Sequence, residues 1–287
     1  MKINIITPQG YCGGVKNALN IVYKSIDDTS IPKPIYLLGS IIHNHHVIDD
    51  LKSKGIILIE EKGTPRFDLL DQINKGTVIF SAHGVSDRVY KKANEKGLHI
   101  IDTTCPNVLL IHKNIKEKIN AGYTCIYIGT KNHPECEGVL EISSKIILIE
   151  AVEQIENIDI SDKKIYITNQ TTLSLFQTEH IYSKLIEKYP NAIIDNKICN
   201  ATTIRQQAIL NQEPVDLCII VGDKNSSNTK KLVTASESMG IHTVLVDNLD
   251  ELKKLDFYNI NSISISSGAS TPEYIVKEII EYLQSKK

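Results

Sequence analysis

No run of apolar residues in this chain approaches the roughly 18 that a membrane span needs, and the opening MKINIITPQG lacks the basic start and long apolar stretch of a signal peptide. The expected location is cytoplasmic, or a plastid-type organelle if a targeting segment has been removed. Dense basic runs are missing too. With 32 Lys and Arg against 34 Asp and Glu, there is no electrostatic footprint for nucleic acid or an anionic membrane. Small molecules or proteins are the expected partners. Tryptophan and low-complexity stretches are also absent, and 41% hydrophobic with 23% charged residues describes an ordinary soluble globular chain. Finally, the six cysteines include no C-x-x-C pair, which argues against a closed structural zinc site. Without a secretory signal they read as thiols or metal ligands, not as a disulfide framework.

What is present is a long repeat. The sequence runs KINIITPQGYCGGVKNALNIV around Cys12, LHIIDTTCPNVLLIHKNI around Cys105 and NAIIDNKICNATTIRQQAIL around Cys199. Each is a β-branched run, a polar turn, one cysteine and a helical pattern. The spacings are 105 − 12 = 93 and 199 − 105 = 94 residues, a period long enough to be a domain. Length alone predicts about two domains, but the repeat predicts three small units: 13–104, 105–198, and 199–287 completed by an N-terminal strand within 1–12. The expected fold is α/β, with three small parallel-sheet units in a pseudo-threefold arrangement around a central site. A cysteine at a strand-to-helix junction meets unpaired backbone N–H groups and the positive end of the helix dipole, which favour the thiolate. Three such cysteines predict a metal or cluster site.

Strand patterns at 35–39, in GIILIE, in TVIFSAHGVS and in LHIIDTTC supply the first unit, and a helix is predicted over 46–55. Strands at 125–129, 145–150 and 164–172, with AIIDNKIC, supply the second. The third has strands only at 217–222, 242–247 and 262–270, so KINIITPQG is expected to be its fourth. Alternating strands and helices predict parallel pairing through right-handed crossovers.

In each unit two strands end in polar loops: GSIIHN and SAHGVS, GTKNHPECEG and NQTTLS, GDKNSSN and SSGASTP. Ligands of open α/β sheets bind at such carboxyl ends. The loops offer His43, His83 and His133 as charge-capable donors, Thr171, Thr172, Ser226, Ser227, Asn228 and Ser270 as neutral donors, and Glu135 and Glu137 as acids. Imidazoles and neutral donors at helix starts suit a phosphate or diphosphate. Any one such loop is more often only a helix cap, but six in repeat register favour a shared ligand. Cys125 and Cys218 lie inside apolar strand patterns and are expected to be inert core residues. Cys136 is out of repeat register, a neighbour of the loop acids. His45, His46, His99, His112, His180 and His242 are taken as surface or core residues.

The segments GYCGGV, IIHNHHV, SAHGVS, TCPNV, NHPECEG, NQTTLS, ICNATTIRQ, GDKNSSNT and SSGASTP, spread over nearly the whole chain, resemble the LytB/IspH family of 4-hydroxy-3-methylbut-2-enyl diphosphate reductases. The resemblance implies an oxidoreductase that ends the methylerythritol phosphate route to isoprenoids. It implies a 4Fe-4S cluster held by Cys12, Cys105 and Cys199, its fourth iron open to the substrate. His43, His83 and His133 with Ser226, Ser227, Asn228 and Ser270 would take the diphosphate, while Glu135 and Thr171, with His133, would serve the substrate hydroxyl and its protons. Glu137 is expected to project elsewhere. Departures from the family pattern fall near Gly13 and at Cys136. With no flavin fingerprint or ferredoxin-type cysteine cluster in the chain, the electrons are expected from a separate donor such as ferredoxin or flavodoxin. Two other readings use the same residues differently. A non-catalytic iron-sulfur sensor or electron-transfer module needs the cysteines but not Glu135 and Thr171, and a phosphoryl-group enzyme with structural zinc needs the loops but not iron.

Overall fold

The computed structural model describes residues 1–161 and 164–286. From the N-terminus the elements are β1 (Lys2–Ile5), α1 (Gly13–Asp27), β2 (Ile35–Leu38), α2 (His45–Ser53), β3 (Ile57–Ile59), α3 (Arg66–Leu69), β4 (Thr77–Phe80), α4 (Asp87–Glu95) and β5 (His99–Asp102). There follow α5 (Pro106–Asn120), β6 (Thr124–Ile128), α6 (Pro134–Leu140), β7 (Ile146–Ile149), β8 (Ile165–Asn169), α7 (Leu175–Lys188) and β9 (Ile193–Asp195). The chain continues through α8 (Asn200–Leu210), β10 (Leu217–Val221), α9 (Ser227–Glu237), β11 (Thr243–Val246), α10 (Leu249–Leu252), β12 (Ser262–Ser267) and α11 (Glu273–Ser285). The short α3 and α10 are not anticipated by periodicity, since four residues carry less than two helical turns of pattern.

The strands form three four-stranded sheets, ordered β3-β2-β4-β5, β7-β6-β8-β9 and β11-β10-β12-β1. Every pairing is parallel. The order is the same each time: the second strand of the repeat at one edge, then the first, third and fourth. In the last sheet the fourth place is filled by β1, which pairs with β12 from Lys2 opposite Ser262 to Ile5 opposite Ile265.

Contacts divide the chain into two compact units. The first comprises Met1–Lys16, Ile42–Val47 and Cys199–Lys287, and the second Asn17–Ile41 and Ile48–Ile198. Within the first, strand alternation sends Leu217, Ile219 and Val221 into a core with Ile275, Val276, Ile279 and Leu283 of α11. The intervening Cys218 and Ile220 pack with Ile209 of α8 and Leu232 of α9. A sheet buried on both faces explains the near-continuous apolar strands. The second unit repeats this on β6. Ile126 and Ile128 face α7, whereas Cys125 and Tyr127 join Ile111 and Ile115 of α5 with Cys136 and Val139 of α6. Among the described residues no helix is long and apolar enough to cross a membrane.

Candidate functional site

In the first unit, Cys12 stands just before α1 and Cys199 just before α8, as its N-cap residue. The Lys16 and Thr203 N–H groups donate to their carbonyls at 3.0 and 2.9 Å, so each cysteine starts a helix. The Val15 N–H lies 3.5 Å from the Cys12 sulfur. Cys12 N–H donates to the Ala269 carbonyl at 3.0 Å, tying it to the loop that carries Ser270.

Arg205 is a residue the sequence reading passed over. It is buried at 3% exposure, donates through Nη2 to the Gly10 carbonyl at 2.8 Å and through Nη1 to Ala201 at 3.1 Å, and is the lone charged residue of α8. Burial pulls its pKa down and the sulfurs of Cys12 and Cys199 push it up. A single charge on an otherwise neutral helix was the signal available.

The same unit holds the neutral donors. Ser226 caps α9 by accepting from Thr229 N–H at 3.3 Å. Ser270 Oγ lies 3.2 Å from Ser226 Oγ and donates to the His43 carbonyl at 3.3 Å, which brings His43, Ser226 and Ser270 together. Ser227 opens α9 beside them. Asn228 is 4% exposed, yet neither its carbonyl oxygen nor its amide nitrogen has a hydrogen-bond partner among the described residues. A buried amide left without partners costs roughly 1–3 kcal/mol, which a bound ligand with matching groups would recover.

In the second unit, Cys105 begins α5 with φ −60° and ψ 134°, and Cys199 has −61° and 135°, so the two present their sulfurs from the same backbone conformation. The Cys105 N–H donates to Ala82 at 3.0 Å, the residue before His83, as Cys12 does to the residue before Ser270. All three helix-starting cysteines are partly exposed thiols outside any disulfide. This donor set fits an iron-sulfur cluster: three partly exposed thiols, each at the start of a helix, two of them beside a buried arginine.

His133 caps α6, its Nδ1 accepting the Glu135 N–H at 3.2 Å. A backbone amide can only donate, so Nδ1 carries no proton and the neutral ring bears its hydrogen on Nε2. That hydrogen is a donor suited to an acceptor-only oxygen. The His83 ring meets the His133 ring edge to face, centroids 5.6 Å apart, with Ser81 Oγ 3.4 Å from its Nδ1.

Glu135 is 1% exposed. Its Oε1 accepts the Thr171 N–H at 2.9 Å and lies 3.4 Å from the buried Tyr127 hydroxyl, while Oε2 accepts Thr171 Oγ at 2.8 Å. Burial raises its pKa to about 7, against the opposing pull of the Thr171 and Tyr127 hydrogen bonds. The result is a carboxyl that holds or gives a proton near neutrality. Glu137 does project elsewhere: it accepts the Arg66 N–H at 2.7 Å and pairs with the buried Arg66 guanidinium at 2.8 Å. Cys136 faces the core, fully buried, its thiol pushed up to about 12 by burial and then by the Glu135 charge.

A sequence model of the family described as LytB protein matches residues 3–284. A protein of Halalkalibacterium halodurans named 4-hydroxy-3-methylbut-2-enyl diphosphate reductase is 43% identical over 287 residues, covering 99% of this chain and 91% of its own length. One of the same name from Bacillus thuringiensis is 44% identical, with coverage of 99% and 90%. Among solved structures, the E-1-hydroxy-2-methyl-but-2-enyl-4-diphosphate reductase from Plasmodium falciparum is similar at a TM-score of 0.90 and 33% identity, covering 99% of this chain and 88% of that one. A second, described as (E)-4-hydroxy-3-methyl-but-2-enyl diphosphate reductase, the terminal enzyme of the non-mevalonate pathway, gives 0.69 and 30%, with 99% and 100% covered.

Proposed function

The chain belongs to the LytB protein family, an iron-sulfur family, and we propose that it reduces 4-hydroxy-3-methylbut-2-enyl diphosphate to isopentenyl and dimethylallyl diphosphate. The reaction takes the allylic alcohol, two electrons and two protons, breaks the C–O bond and releases water. Cys12, Cys105 and Cys199, one from each repeat unit (13–104, 105–198, and 199–287 with 1–12), are the ligands we assign to a 4Fe-4S cluster. When bound, that cluster supplies electrons singly and a Lewis-acidic iron. The electrons come from a separate donor protein of the ferredoxin or flavodoxin kind, and the setting is the cytoplasm.

The remaining work belongs to side chains. Diphosphate oxygens are acceptors only, and they match the Nε2 hydrogen of His133, the imidazoles of His83 and His43, the hydroxyls of Ser226, Ser227 and Ser270, and the unpartnered Asn228 amide. Anchoring the diphosphate fixes where the hydroxyl end of the substrate lies. Hydroxide is a poor leaving group, so its oxygen needs a proton as the C–O bond breaks. Glu135 holds that proton near neutral pH, and Thr171 Oγ, 2.8 Å away, is placed to pass it on.

The buried Glu135 carboxyl with its pKa near 7 carries this reading over that of a sensor or electron carrier, which has no use for a proton store. The test is Glu135→Gln, which keeps size and hydrogen bonding but removes the proton. General acid catalysis contributes roughly 100- to 10,000-fold, so turnover with a one-electron chemical reductant should fall at least ~100-fold while iron content and substrate-induced spectral change persist. Glu137→Gln is the control with smaller loss of turnover. If Glu135→Gln retains more than about a tenth of wild-type turnover, below the low end of that contribution, the acid is another group.

A further inference from the structure

We propose that His45, His46 and Asp247 bind a divalent transition-metal ion of the zinc class, with Asp223 orienting the His45 ring. Asp223 and Asp247 lie just past the carboxyl ends of β10 and β11, neighbouring parallel strands, and His45 and His46 open α2 in the same compact unit. His45 Nε2 is 3.2 Å and His46 Nε2 3.0 Å from the same oxygen, Asp247 Oδ2. The two rings stack at 4.0 Å between centroids, and one ligand atom from each of the three residues falls within 4.8 Å of the others. Zinc bonds of about 2.0–2.2 Å in a tetrahedron separate neighbouring ligand atoms by roughly 3.3–3.5 Å. The observed separations are a few tenths shorter, so small side-chain movements admit an ion.

His45 presents both ring nitrogens to carboxylates, Nε2 to Asp247 and Nδ1 to Asp223 Oδ2 at 3.2 Å. A neutral ring has one N–H, so one nitrogen turns a lone pair toward an anion. Asp223 is already anchored by the His45 N–H at 3.0 Å and the Asn225 N–H at 2.7 Å, and with Nδ1–H donating to it as well, the lone pair falls on Nε2. That is the carboxylate–histidine–metal relay in which an outer carboxylate fixes the tautomer of a ligating ring. The second oxygen of Asp247 is buried without a hydrogen-bond partner among the described residues. Two aspartates thus converge on a pair of imidazoles, a donor set of nitrogen and carboxylate oxygen. Imidazole nitrogen with carboxylate oxygen selects zinc-class ions over magnesium or calcium. The His45 side chain is 52% exposed, which gives solvent access and a water for the fourth position.

The test titrates zinc into the cluster-loaded protein, stripped first by mild chelation, in competition with a chromophoric chelator. One equivalent should bind in the micromolar range or tighter. Asp247→Asn and His46→Ala should each weaken it by more than ~10-fold, and Asp223→Asn by roughly 10- to 100-fold, the usual effect of an outer-shell partner. Zinc held by cysteines would be common to all variants, so the comparison does not depend on the cluster assignment. Anomalous scattering at the zinc edge from wild-type crystals grown with zinc should place a peak between His45 Nε2, His46 Nε2 and Asp247. Binding undiminished in all three variants, or no peak at that place, overturns the proposal.

Discussion

Two sets of cysteines share one period and differ in everything else. Cys12, Cys105 and Cys199 recur at 93 and 94 residues, and Cys125 and Cys218 at 218 − 125 = 93. The first set stands at helix starts, partly exposed, while the second lies inside β6 and β10 with no exposure at all. Burial pushes the Cys125 thiol up to about 12, far from a ligand's anion. A repeat therefore marks equivalent places in the fold without marking chemistry. Chemistry follows position along the strand: the interior makes cysteine a small apolar side chain, and the carboxyl end leaves its thiol partly exposed at a helix start.

The sharpest break in that comparison is Cys105→Ser. A hydroxyl is a poor substitute for a thiolate, and two remaining thiolates do not hold a cluster with an open corner. Iron measured after anaerobic purification should fall close to zero, with the visible absorbance of the cluster lost. Near-stoichiometric iron in this variant would sink the assignment of one ligand per repeat.

Next in size is a pH effect at the carboxyl end of β6. The Glu135 pKa stands above its ordinary value because burial outweighs the Thr171 and Tyr127 hydrogen bonds. A raised acid contributes stability that is fully present below its unfolded value and is lost as pH rises through about 7. Turnover should follow the same sense, since the proton to be delivered is present below that pH and absent above it. A wild-type profile falling above pH 7, roughly tenfold per unit at its limit, should flatten in Glu135→Gln. An identical falling limb in both proteins would assign it to a different group.

Asn228→Ala sharpens the contrast between groups that hold a ligand and groups that move a proton. Hydrogen bonds to charged groups are worth about 1.5–3 kcal/mol, so KM should rise roughly 10- to 100-fold with turnover little changed. Because the amide has no partner among the described residues, its loss should not lower the melting temperature. A destabilised variant with unchanged KM would make Asn228 structural.

The sheets were legible because apolar strands buried on both faces leave continuous runs such as LCIIVG, and because three like segments expose a missing fourth strand. The positions of the six loops followed from those strands. Burial within the loops did not. HPECEG reads as a polar turn, yet Glu135 and Cys136 are inside and Glu137 serves Arg66, a partner 71 residues away with no local signal. Arg205, Tyr127 and the His45–Asp223–Asp247 cluster were missed for the same reason: charge pairing between distant segments has no periodicity. Sequence pattern reports faces and ends, and tertiary contact decides which polar groups lose their water.

The smallest expected effects belong to the interior set. Cys125→Ala and Cys218→Ala each remove one sulfur from a fully buried position, Cys125 between α5 and α6 and Cys218 against α8 and α9. The loss is transfer energy plus a small cavity, on the order of 1 kcal/mol. Denaturant midpoints should shift accordingly, with iron content and turnover at wild-type levels. Cys218 is the more informative of the pair because it shares its packing with Ile209, on the same helix that Cys199 begins. If the cavity let α8 settle toward β10, Cys199 would move with it. Retained iron in Cys218→Ala thus says that the helix start is held by its own bonds, Thr203 N–H to Cys199 and Arg205 to Gly10, and not by the core beneath it. Iron loss in Cys218→Ala alone would reverse that, and would make the interior cysteine a positioning residue for the one at the helix start.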